Sequence, residues 1–176
     1  LSSHINLMMN QLGFLMRGEI IWDKSASAGS SCAWGSFQSA SNPCLRDVHE
    51  YLLVFSKGNY KLLREKSERE EGRIDTIPRD DFIQHTKSIW SFATERASRV
   101  NHPAPFPVEL PKRCIEMYSF AGDVVLDPFN GSGTTCVAAK NTGRAYIGVD
   151  LSEEYCAIAR KRLEETESWI APKIEV

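Results

Sequence analysis

The sequence predicts an α/β fold, and three observations predict it. Residues 124–151 run from an apolar stretch ending in an acid (Val124-Val125-Leu126-Asp127) through a turn-rich loop (Asn130-Gly131-Ser132-Gly133) into helix-forming residues, Thr134 to Lys140. Asn141 to Gly143 stop that helix, and a second apolar run, Ala145 to Val149, ends in a second acid, Asp150. Two parallel strands joined by a helix need this length, and the crossover should be right-handed. Secondly, residues 14–22 and 51–56 have strand character, so four good strands (with 123–127 and 145–149) accompany the helices. Thirdly, 176 residues with 42% hydrophobic and 25% charged content suffice for one soluble domain with a core.

In chain order, Ser2 to Leu12 reads as a helix with Ile5, Met8, Met9 and Leu12 on one face. Ser2 or Ser3 caps it, Gly13 ends it, and the methionines are expected to fill core. The strand at 14–22 is interrupted at Arg17-Gly18-Glu19. Residues 23–42 are rich in Ser, Ala and Gly without periodicity, a long loop of the kind that is functional or disordered. Trp34 and Phe37 within it could stack on a nucleic-acid base or pin the loop to the body.

Asn42-Pro43 is a turn, and Tyr51 to Phe55 an aromatic and β-branched strand. His49 and Glu50 read as a hydrogen-bonded strand entry, because no nucleophile adjoins them; Arg46 can hold a phosphate or Asp47. Residues 58–81 mix Arg64, Lys66, Arg69 and Arg73 with Glu65, Glu68 and Glu70, either a solvated, ion-paired element or a recognition segment. Ser88 to Phe92 is a short extended stretch. Pro103, Pro105 and Pro107 make 101–107 a fixed extended loop, which loses little entropy when a ligand docks. Val108 to Tyr118 is a helix that tolerates Pro111 only in its first turn. After Asp150, Ser152 caps a helix with Glu153 and Glu154 in its first turn. Its core face is Tyr155, Ile158, Ala159 and Leu163, and Arg160, Lys161 and Arg162 read as solvated.

No apolar run approaches membrane-spanning length and no signal-peptide pattern is present. The five cysteines form no C-x-x-C pair, so no zinc or other metal site is expected, and their scatter fits a reducing cytoplasm. The net charge of −2 counts mildly against a nucleic-acid partner, although a local basic face suffices for one.

The glycine unit has the chemistry of a nucleotide-like cofactor site, because ligands of open α/β sheets sit beyond the carboxyl ends of the strands. Gly131 and Gly133 allow close approach and positive φ, and Asp150 lies where an acid can accept both hydroxyls of a ribose. The dinucleotide pattern G-x-G-x-x-G fails at Cys136, and no Gly-Lys-Ser/Thr phosphate loop follows. Asp127-Pro128-Phe129 sets an acid and an aromatic before the glycines, which suits a cationic ligand better than a pyrophosphate.

LDPFNGSGTT followed by GVDLSEEYCAIARKRL resembles the S-adenosyl-L-methionine (AdoMet) core of the amino-DNA methyltransferases, in the subgroup whose catalytic motif precedes the cofactor motif. NHPAPFP at 101–107, GEIIW at 18–22 and RDVHEYLLVFSK at 46–57 extend the likeness to about residues 18–163. The resemblance implies a Rossmann-like sheet of about seven strands with flanking helices, incomplete here at its N-terminal side. It implies one methyltransferase domain over 1–176, with a variable target-recognition insert at 58–100 and a cofactor core at 101–163. Asp127, Pro128, Phe129, Gly131, Ser132 and Gly133 would then line the methionine and ribose end of AdoMet, and Thr134 and Thr135 would offer donors. Asp150 would take the diol, Leu151 the adenine, and His102, Ala104 and Phe106 would close the pocket. For Leu151 and Phe106 plain core packing is the competing reading.

The implied reaction is methyl transfer to adenine N6 or cytosine N4 in double-stranded DNA. In the resembled family an Asp, Asn or Ser followed by Pro-Pro and an aromatic residue grips the target amine. This sequence holds no Pro-Pro dipeptide, and Asp127-Pro128-Phe129 belongs to the cofactor strand. The expectation is therefore a C-terminal piece whose catalytic motif lies upstream of Leu1, inactive alone. By the same resemblance the protein is cytoplasmic and nucleoid-associated, and a homodimer or a cognate restriction endonuclease fits it. Two rival readings are an inactive methyltransferase-like DNA-binding module and a nucleotide-dependent oxidoreductase.

Overall fold

A computed structural model of the chain describes residues 2–27, 37, 45–60, 73–95 and 106–169. Trp34, His102 and Ala104, most of the 23–42 loop and much of the charged insert lie outside the described residues. The chain divides into two compact units, residues 1–63 with 86–93 and residues 64–85 with 94–176.

In the first unit, helix α1 (Ser2–Gln11) leads into β1 (Phe14–Asp23), which pairs antiparallel with β2 (His49–Lys57) and parallel with β3 (Ile89–Ser91). The interruption expected at Arg17 is a β-bulge: Met16 faces Phe55 and Gly18 faces Val54, so Arg17 is the extra residue. Ile20, Trp22 and Trp90 are buried, and the Trp22 indole N–H donates to the Phe92 carbonyl at 3.0 Å while its ring stacks on Phe92. A buried indole needs such an acceptor, since desolvating the N–H unpaired costs about 1–3 kcal/mol. His49 and Glu50 act as strand-entry residues: Glu50 pairs with Lys24 at 2.6 Å, and His49 meets Tyr51 edge-on. Helix α1 forms where the sequence predicts it, but its expected core face does not. None of its residues is buried, and Ile5, Met8 and Leu12 are exposed, so its methionines fill no core. Periodicity gave the residues that share a face but not what covers that face.

The second unit is a two-stranded parallel sheet, β4 (Val124–Asp127) and β5 (Ala145–Gly148), joined through a crossover helix. Helix α2 (Arg79–His85) and helix α3 (Glu109–Tyr118) precede the sheet; the crossover is α4 (Thr134–Asn141), and α5 (Glu153–Glu165) follows. Pro111 sits in the first turn of α3, where its missing N–H has no intrahelical partner to lose. Ile115, Ala138 and Ala139 form the core with Val108 and Val125, so α3 and α4 cover the Val125 side of the sheet. Val124 (63% exposed) and Leu126 (61%) lie on the opposite side, with Ile147 (53%) and Val149 (50%). Five strands are thus found among the described residues, in two sheets rather than one, and β3 forms where the sequence predicts a short extended stretch.

Buried Arg144 ties the turns of this unit together. Its guanidinium donates to Ser119 Oγ at 3.1 Å, to the Ser119 carbonyl at 2.6 Å, to Thr76 Oγ1 at 2.6 Å and to the Thr142 carbonyl. Five fixed donors suit Arg to such a hub. No helix among the described residues is long and apolar enough to cross a membrane.

Candidate functional site

The site lies at the carboxyl ends of β4 and β5. The ladder runs past the strands, with Val149 N–H donating to the Asp127 carbonyl and Asn130 N–H to the Val149 carbonyl, both at 2.9 Å. Those two bonds bring the loop after Asp127 beside the turn at Asp150. Gly131 and Gly133 take φ of +50° and +82°, the left-handed region that favours glycine. Gly133 meets a second demand, because a Cβ there would lie 2.7 Å from the Ala159 Cβ of α5.

Asp150 Oδ2 accepts the Gly131 N–H at 2.8 Å, and Oδ1 accepts the Ser152 N–H at 2.9 Å. A carboxylate oxygen can accept about two bonds, so this acid both braces the loop and presents acceptors at the strand ends. Asp127 Oδ1 accepts the Phe129 N–H at 3.0 Å, an Asx turn, and no bond to Oδ2 is found among the described residues. The Phe129 ring is 88% exposed and Leu151 is fully exposed. Core packing therefore does not explain Leu151, and two large apolar groups flank the mouth of the loop without burial. Phe106 is half-buried.

Ser132 and Thr134 are buried, with hydroxyls turned toward α5, where both accept from Arg162. Their hydroxyl oxygens are thus engaged from behind the loop; Thr135, half-buried in the first turn of α4, has its side chain less enclosed. Arg162 itself corrects the sequence reading: it is half-buried under the glycine loop, not solvated. Asn130, Cys136 and Gly148 were also missed as a group. The buried Cys136 thiol donates to Asn130 Oδ1 at 3.1 Å, and a Cβ on Gly148 would lie 2.5 Å from the Asn130 side chain. Gly inside a strand was the available signal for that close approach. Burial, then the nearby Asp127 charge, push the Cys136 thiol up to about 11, so it packs and does not react. Ser152 caps α5 as expected, its Oγ accepting from Tyr155 N–H at 3.3 Å. Of the nucleic-acid candidates, Phe37 and Arg46 are exposed, both in the first unit.

This is a glycine turn between two acids, at the switch from a strand to a helix N-terminus, with apolar flanks. It can accept hydrogen bonds from a diol, donate N–H groups to an anionic end, and cover a flat ring. Comparison with known proteins gives the class. The sequence matches the profile of the N6/N4 DNA methylases over residues 2–161. The chain belongs to that family.

It is 33% identical to the type II methyltransferase M.MthZI of Methanothermobacter thermautotrophicus over 160 residues, which is 88% of this chain and 45% of the relative. It is 31% identical to type II methyltransferase M2.DpnII of Streptococcus pneumoniae, over 91% of this chain and 55% of that one. Among solved structures, protein TTHA0409 of Thermus thermophilus, in complex with S-adenosyl-L-methionine, superposes with a TM-score of 0.71 at 31% identity, over 96% of this chain and 61% of that one. The PvuII cytosine-N4-specific DNA methyltransferase shares the fold, with a TM-score of 0.65 at 21% identity, over 90% of this chain and 54% of that one. The chain spans about half the length of the curated relatives it matches.

Proposed function

We propose that this chain carries the AdoMet-binding half of a DNA methyltransferase acting on the exocyclic amine of cytosine (N4) or adenine (N6). The observation that carries the reading is the Asp150–Gly131 bond, which holds a carboxylate against the glycine loop at the ends of two parallel strands. The residues fit the cofactor: a carboxylate held at the ends of the two strands matches a ribose diol, and exposed Leu151 and Phe129 offer cover for flat or apolar parts of the ligand. Asp127 adds negative charge near a cationic centre, and the N–H groups at the start of α4 offer donors to a carboxylate. When bound, AdoMet supplies an electrophilic sulfonium methyl. This chain's residues contribute orientation, and holding reactants in line is worth much of such a rate. His102 and Ala104 with Phe106 complete the pocket on this reading, residues 58–100 select the target, and Trp34, Phe37 and Arg46 face DNA.

The amine-gripping Pro-Pro-aromatic motif has no counterpart in these 176 residues, so the chain by itself is expected not to methylate. A second copy, a cognate endonuclease and nucleoid association are further expectations of the same reading. Calorimetric titration with AdoMet and with NAD tests it. Micromolar AdoMet binding, about −8 kcal/mol, with no NAD response supports the methyltransferase reading, and NAD binding in its place would overturn it. Methyl transfer to DNA by the purified chain would sink the claim that it is inactive alone. An AdoMet-binding chain that binds DNA, from an intact reading frame encoding no such motif, would instead favour an inactive DNA-binding module.

A further inference from the structure

Resting on that cofactor reading, we propose that Arg162 is the positioning residue of the glycine loop, the group that sets residues 131–134 in binding shape before a ligand arrives. Its Nη1 donates to the Ser132 carbonyl at 2.7 Å, to Ser132 Oγ at 3.0 Å and to Thr134 Oγ1 at 3.1 Å. One cationic group thus holds three oxygens of two alternate loop residues, between and beside the glycines. Glycine has more backbone freedom to lose than any other residue, so an unbraced Gly-Ser-Gly turn would order only when the ligand binds, at a cost in affinity. Charge-assisted bonds are the strong ones, and guanidinium stays charged when partly desolvated.

The base from which Arg162 reaches is itself fixed. Helix α5 is capped by Ser152, abuts Gly133 through Ala159, and is tied to α4 where Lys140 Nζ donates to the Leu163 carbonyl at 2.7 Å. Its neighbour Lys161 is exposed and, among the described residues, pairs only along the helix, 3.9 Å from Glu165. Sequence neighbours of like charge therefore have different work, and Lys161 is the natural control.

The test is AdoMet titration of the native chain, Arg162→Ala, Arg162→Lys, Lys161→Ala, Thr134→Val and the Arg162→Ala/Thr134→Val pair, with amide exchange of each protein free of ligand. Arg162→Ala should weaken AdoMet binding about 10-fold or more, since loop ordering then falls on the binding step, while Lys161→Ala leaves it unchanged. Lysine at 162, with three donors, should restore most of the affinity. Thr134→Val should cost less in the Arg162→Ala background than alone, the non-additivity of residues sharing one interaction. Exchange at residues 131–134 should quicken in Arg162→Ala while β4 and β5 stay protected. Native affinity with native exchange in Arg162→Ala overturns the proposal, and so does loss of protection throughout β4 and β5, which marks a general stabilising role. If the native chain binds no AdoMet, the cofactor reading falls, and the exchange comparison still decides whether Arg162 holds the loop.

Discussion

Asp150 Oδ2 accepts the Gly131 N–H at 2.8 Å across 19 residues of sequence, so the acid expected to meet a ribose also closes the loop expected to meet the rest of the cofactor. Asp150→Ala should therefore remove two things at once, the diol acceptor and the loop anchor. Charge-assisted bonds of about 1.5–3 kcal/mol put the loss at about 10- to 150-fold in AdoMet affinity. Asparagine should behave closer to alanine than to aspartate, because its amide NH₂ would face one of the two N–H donors, Gly131 or Ser152. Calorimetry on the three proteins decides it; wild-type affinity in Asp150→Asn would show that the second acceptor oxygen is not needed.

Gly133→Ala should destabilise the second unit sharply. The position has φ +82°, which costs a residue with a Cβ about 1–2 kcal/mol. The new methyl would also sit 2.7 Å from Ala159 Cβ and 3.1 Å from its Cα, forcing α5 outward at about 1–3 kcal/mol more. Gly122→Ala has φ +86° with nothing within 4 Å, so it carries the strain without the clash. Thermal melts should rank Gly133→Ala below Gly122→Ala below the native chain; equal melting of the two variants would mean that α5 yields freely.

How far the site was legible follows from the range of the interactions. The two strands, the glycine turn and the Ser152 cap are set by neighbours within a few residues, and they came out as expected. Arg162 did not, because a run of Arg160, Lys161 and Arg162 looks solvated when read as composition. The helical phase held the answer: Arg162 is three residues from the buried Ala159 and four from Ile158, on the face already assigned to the core. Arg144 shows the harder case. Its acceptors come from residues 76, 119 and 142, which no local pattern relates. Ser132 was recognised as a loop residue and Thr134 as the start of the helix, but which way their hydroxyls turn depends on the helix behind them.

The pH dependence should carry two unusual limbs, both in the second unit. Burial holds the Glu116 carboxyl above its ordinary 4.5, against the opposing pull of Lys112, whose ammonium lies 3.3 Å away. The folded state therefore binds this proton more tightly than the unfolded chain, and the cost of ionising Glu116 appears as pH rises above 4.5. Buried His85 is the mirror case: desolvation first, then Arg113, hold its pKa below 6.5, so stability is lost as pH falls below 6.5. Glu116→Gln should be neutral to stabilising by about 1 kcal/mol at pH 7, with the difference shrinking as pH approaches 4.5. Denaturant titrations at pH 4.5, 6 and 7.5 would read both limbs. A glutamine variant less stable than the native chain at pH 7.5 would mean that the Lys112 pair outweighs the burial.

The open side of the β4–β5 sheet makes the last prediction. Parallel sheets are found with both faces covered, because their strands are apolar on both sides. Here Val125 is covered by α3 and α4, while Val124, Leu126, Ile147 and Val149 stay half-exposed or more. Leu126 and Ile147 are register partners, so together they form the centre of that patch. Contiguous apolar surface of this kind drives association. The purified chain should self-associate with rising concentration in sedimentation velocity, and Leu126→Glu with Ile147→Lys should suppress it. Opposite charges on directly paired neighbours should leave the fold nearly intact, with stability within about 0.5 kcal/mol. The same pair should leave the Asp150–Gly131 closure untouched, because the substitutions sit on the strands below it. A chain that stays monomeric at every concentration would show that this face is covered within the chain itself.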